Sequence, residues 1–129
     1  MPPGDAFTAL QRQEIAKAVA DAERVSGRTF SVHVGPSDGS SRGYAEQLHA
    51  ALPDPAETIL VHVDPAGRAL EIVTGSDVRR TLSNQQAALA AINMQTAFAT
   101  GDLTRGLMAG LQQLAAVATP EQSLHTNTP

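Results

Sequence analysis

The chain has no cysteine. Disulfides, thiolate metal sites and cysteine nucleophiles are therefore excluded. Charge is sparse as well. Only 17% of the 129 residues are Asp, Glu, Lys or Arg, and the net charge is −4, where about a quarter is usual. No basic run stands out, so the partners expected do not include nucleic acid or an anionic membrane surface. No apolar run approaches the roughly 20 residues of a membrane span. The opening "MPPGDAFTAL" lacks the charged segment and apolar stretch of a signal peptide. The expectation is a soluble, cytoplasmic protein. The motif H-E-x-x-H and the P-loop pattern are also missing, so no zinc-protease set is visible, and neither His49 nor His125 stands beside an obvious serine nucleophile.

What is present is a core. The hydrophobic fraction is 42%, and a chain of this length buries roughly two-thirds of its unfolded surface. One domain over 8–118 is expected, with a flexible N-terminus over 1–7 and a disordered tail over 119–129. "TALQ" reads as a capping box: Thr8 accepts from the third helical N–H and Gln11 reaches back. The helix it opens extends to about residue 26. Its apolar stripe is Ile15, Val19, Ala22 and Val25, and Gly27 stops it.

"TFSVHVG" alternates Phe30, Val32 and Val34 with Ser31 and His33, the period of a half-buried strand. A second helix is expected over about 44–52, with Ala45, Leu48 and Leu52 inward, ended by Pro53 and Pro55. "ETILVHVD" is nearly continuous in apolar residues and reads as a central strand. "DPAG" at 64–67 is a turn, and "RALEIVTG" completes a β-hairpin. Ser83 caps a helix over 84–100 and Asp102 caps another over 103–118. In the last helix Leu103, Leu107, Leu111 and Leu114 share a side. Gly106 and Gly110 leave a groove for tight packing. The fold class is α/β, a small mixed sheet (a βαβ crossover plus a β-hairpin) packed by about four helices.

Val-His-Val occurs twice, and alternation sends His33 and His62 to the face opposite the buried valines. With "TILVHVD" in the middle of the sheet, Glu71 joins them on that wetter face. Two histidines and a carboxylate are a recognised metal-ligand set. His33, His62 and Glu71 are therefore the candidates for a divalent metal, and strand register decides whether they meet. The same two imidazoles form a candidate pH-sensitive pair. Two further surfaces are candidates for anions or a partner. One is Arg42 at the start of the second helix, in "GPSDGSSRG". The other is Asp77, Arg79 and Arg80 in "GSDVRR".

The stretches "FSVHVG", "YAEQLHAAL", "LEIVTG" and "FATGDLTRGLMAGLQQL", and the order helix, strand, helix, hairpin, helix, helix, resemble the TPM domain. More closely, the chain is similar to a small bacterial family of unknown function related to it. Phe98, Gly101, Asp102, Gly106, Leu107 and Leu111 fall on that pattern. The resemblance implies a TPM-like fold. It also implies one of several roles: a phosphatase, a calcium-binding domain, or an auxiliary factor that acts on other proteins. The chain departs from the pattern after the third strand. Gly75 is kept, but Ser76 and Asp77 replace an aromatic residue and a glycine, and Ser83 and Asn84 replace Pro-Asp. With Asn84 in place of a carboxylate, the expectation is a non-enzymatic interaction or assembly domain with an unidentified protein partner and no cofactor. The alternative is a divalent-metal domain or a metal-dependent phosphatase-like hydrolase.

Overall fold

The computed structural model describes residues 7–119. Four helices surround a three-stranded sheet: α1 (Ala9–Ser26), β1 (Thr29–Val34), α2 (Ser41–Ala50), β2 (Thr58–Asp64), β3 (Ala69–Thr74), α3 (Asn84–Thr100) and α4 (Leu103–Ala118). One-turn 3₁₀ segments precede β2 and follow β3. The strand order is β1-β2-β3. β1 pairs parallel with β2, and β2 pairs antiparallel with β3. This is the mixed α/β sheet that the strand-helix-strand and hairpin patterns predict.

Local chemistry sets the ends of the elements. The Thr8 hydroxyl accepts from the Gln11 N–H at 3.1 Å, and the Thr8 N–H donates to Gln11 Oε1 at 2.9 Å, so two orphan donors of α1 are satisfied. Gly27 ends α1 at φ 73°, a left-handed conformation that glycine adopts without Cβ strain. Ser83 and Gln86 repeat the capping box on α3. The second helix starts earlier than its apolar spacing predicts. Ser40 caps it by accepting from the Gly43 N–H at 3.0 Å, which draws Ser41, Arg42 and Gly43 into the first turn.

The sheet divides two cores. One face carries Phe30, Ile59, Val61, Val63, Leu70 and Ile72 against α1, α3 and α4. The other carries Leu60 and Val73 against Ala45, Leu48 and Leu52 of α2. The result is three layers with α2 alone on the second face. Gly106 and Gly110 bring α4 against α3: a Cβ at Gly110 would lie 2.4 Å from Met94 Cγ, and one at Gly106 2.5 Å from Ala97 Cβ.

Three expectations are corrected. Val25 is 56% exposed, because Ser26 takes the last inward position of α1. Its hydroxyl is satisfied there by donating to the Ala22 carbonyl at 2.7 Å. The hairpin turn lies one residue further on. The Asp64 carboxylate accepts from the Gly67 N–H at 3.0 Å, and the Arg68 N–H donates to the Pro65 carbonyl at 3.2 Å. Arg68, at φ 53°, is thus the left-handed residue. Phe7, expected to be loose, is buried in the main core, where an aromatic ring gains from leaving water. The rest of the expected flexible N-terminus, residues 1–6, and the tail from 120 lie outside the described residues.

Candidate functional site

The register is in phase for the polar row. His33 stands opposite His62, and His62 opposite Glu71. Alternation had placed the histidines on a wetter face, but α2 covers it and His62 is fully buried. A buried imidazole needs partners at both nitrogens, and His62 has them. Its Nδ1 lies 3.1 Å from His33 Nδ1, and its Nε2 lies 2.9 Å from Ser37 Oγ. Two tautomeric arrangements satisfy both bonds. In one, the Ser37 hydroxyl donates to His62 Nε2 and His62 Nδ1–H donates to His33. In the other, both donations are reversed. A doubly protonated pair would set two N–H groups against each other and break the chain. Tyr44 of α2 closes the layer, its ring centroid 5.3 Å from that of His62 and 6.1 Å from that of His33.

The electrostatics agree with the packing. Burial holds the His62 pKa below the ordinary imidazole value, and the neighbouring His33 charge pushes the same way. Asp64 and Glu71 partly oppose them. Asp64 is held below the usual carboxylate value, first by the Gly67 N–H, and by Ser37 as well, against the opposing effect of burial.

Glu71 belongs to the row, but its carboxylate is turned elsewhere. The Ser41 hydroxyl donates to it at 2.7 Å, and Arg42 Nη1 lies 3.7 Å from it. Among the described residues, no group of three or more His, Cys, Asp or Glu side chains is placed to hold a metal ion. The structure therefore brings His33 and His62 together and leaves Glu71 to Ser41 and Arg42.

The two cationic candidates come together instead. β3 is an edge strand, and its unpaired carbonyls face outward. Arg42 Nη1 donates to the Ile72 carbonyl at 2.8 Å, and Arg79 Nη1 donates to the Thr74 carbonyl. Both side chains line one cleft with Glu46, His49, Ser76 and Asn84. Arg80 lies apart from it, 3.8 Å from Asp77. Sequence reasoning did not single out Ser37, Ser41, Tyr44, Glu46 or Asp64. Ser37, Ser41 and Tyr44 meet their partners only through long-range folding, whereas Glu46 pairs with Arg42 one turn away on α2 and Asp64 holds its own turn at Gly67 as well as Ser37. The local hints were the run of hydroxyl groups in "GPSDGSS" and its G-x-S-x-G spacing at Gly35, Ser37 and Gly39.

The fold and site define a three-layer α/β domain with a histidine-bearing sheet under one helix and an arginine-lined strand edge. Residues 3–115 match the family described as "Domain of unknown function (DUF5130)", and the chain belongs to that family. Two uncharacterized proteins of Mycobacterium tuberculosis, from strains CDC 1551 / Oshkosh and ATCC 25618 / H37Rv, are each 29% identical to it over 107 residues. The match covers 80% of this chain but 64% of each relative's length. Two solved structures share its fold. The BA42 protein of the psychrophilic bacterium Bizionia argentinensis has a TM-score of 0.76 at 18% identity, covering 87% of this chain and 81% of that one. The N-terminal domain of a P. gingivalis protein has a TM-score of 0.72 at 17% identity, covering 88% and 77%.

Proposed function

We propose that this is a non-enzymatic interaction domain, TPM-like in descent, that docks on a protein partner through the outer face of α3. One observation carries the reading. α3 has no charged residue in its 17 positions, and it exposes Leu89 and Ile92 by 54% and 56%. These residues are three apart, so they are neighbours on one helix face. Ala88, Gln85, Asn93 and Thr96 surround them, all exposed. Apolar anchors in an uncharged surround are what an interface core favours. α1 shows the contrast: its solvent side carries Lys17, Asp21 and Arg24 in ion pairs. Asn84, replacing a carboxylate of the resembled pattern, supports binding over hydrolysis. The test is a screen of general phosphatase substrates with added divalent ions. Turnover no greater than that of a folded Asp77→Ala control is expected. Activity well above that control contradicts the reading.

A second reading, a divalent-metal domain, is favoured by the 3.1 Å between the two Nδ1 atoms. Two imidazoles on one tetrahedral ion, each about 2.0 Å from it, stand roughly 3.3 Å apart. A third protein donor is missing among the described residues. Zinc titration followed by the histidine ring NMR signals separates the readings: the interaction domain leaves both rings unshifted at millimolar zinc.

A further inference from the structure

We infer that the cleft along the free edge of β3 is a metal-independent binding site for a small molecule that carries an oxyanion group. The argument starts from the backbone. Ile72 and Thr74 are two apart on an edge strand, so their carbonyls project on the same side, roughly 6.6 Å from each other. Each carbonyl anchors one guanidinium: Arg42 from α2 and Arg79 from the turn after β3. Two planar cations are thereby fixed at a spacing that a carboxylate or phosphate placed between them can bridge, since each fork matches oxyanion geometry.

The charge of Arg79 is unpaired among the described residues, and that of Arg42 is shared with two carboxylates. Among the described residues Arg79 forms no ion pair with a carboxylate, although the chain as a whole carries −4. Arg42 gives its Nε to Glu46 at 3.0 Å and its Nη1 to Ile72, with Glu71 3.7 Å from that same nitrogen, which leaves Nη2. Asn84 accepts from the Thr74 hydroxyl through Oδ1 at 3.5 Å, so its amide N–H groups are donors for the cleft. Glu46 lines the cleft and Glu71 reaches Arg42 from outside it, so both carboxylates bear on Arg42 and, among the described residues, Arg79 faces none. The cleft measures about 620 Å³, within the usual range for a small organic ligand and far larger than a bare anion. Pro55, Ala56 and Val73 supply an apolar wall for the rest of the molecule. The two arginines also blunt the sheet edge against strand pairing, and that role leaves their outer donors unused.

The experiment is a titration of the full chain with phenyl phosphate in one arm and benzoate in another, at constant ionic strength held with chloride. Arginine side-chain NMR signals are the readout. Saturable shifts of Arg42 and Arg79, with Arg105 unmoved, are expected in at least one arm, and the arm identifies the anion. Arg79→Gln should weaken binding by about tenfold or more. Glu46→Gln, which removes a competing carboxylate and keeps Arg42, should tighten it. Non-saturating shifts in both arms, equal shifts at Arg105, or an affinity that neither substitution changes would overturn the site. Melting curves of both variants establish that they are folded.

Discussion

At the scale of single residues, the polar row is a closed hydrogen-bonded layer, and its behaviour with pH follows from His62. Burial lowers the folded pKa from the ordinary 6.5, so the unfolded chain takes up the proton first as pH falls. The His62 contribution is full above 6.5 and is lost as pH drops from there toward the lower folded value. Asp64, also lowered, holds its contribution above the ordinary 3.8 and loses it in stronger acid. Urea unfolding should therefore show stability declining as pH falls below about 6.5, with a shallower slope in His62→Gln. A wild-type profile flat through that window contradicts the assignment. Ser37→Ala removes the partner of His62 Nε2 and should cost about 1–3 kcal/mol, measured the same way at pH 8. The faces of His33, His62 and Glu71 were legible from alternation alone. Burial was not, because nothing local to either Val-His-Val says that Tyr44 will close over it.

The elements show why some boundaries were readable and others were not. The capping boxes at Thr8 and Ser83 are local, four-residue devices; the first was legible as a box and the second as a serine cap, and both formed. The start of α2 depended on Ser40, one of three serines within "SDGSS" that look alike in sequence. Val25 and Ser26 reversed their expected roles because a serine that donates to its own helix can be buried without loss. Gly75 shows a constraint visible only in the folded chain. A Cβ there would sit 2.0 Å from the Pro55 carbonyl oxygen and 2.3 Å from that of Ala56. These are backbone atoms that cannot swing aside. Gly75→Ala should therefore destabilise by about 3 kcal/mol, the upper part of the usual overpacking range. Thermal melts of the variant check it, and a loss below about 0.5 kcal/mol contradicts the close approach.

Over the whole molecule, charge is unevenly placed. Arginines 42 and 79, thirty-seven positions apart in sequence, were read as separate surfaces and meet on one strand edge. No spacing rule connects them; the edge position of β3 does. α3, in contrast, carries no charge and shows Leu89 and Ile92 to solvent. None of the described helices is long and apolar enough to cross a membrane. The docking claim is tested most directly by placing a photo-crosslinking residue at position 89 and irradiating living cells. A control carries it at position 10, where Leu10 is 65% exposed on α1. The account predicts a discrete protein adduct from position 89, abolished by Ile92→Glu in a chain that still melts cooperatively. No adduct, or the same adduct from position 10, would contradict it.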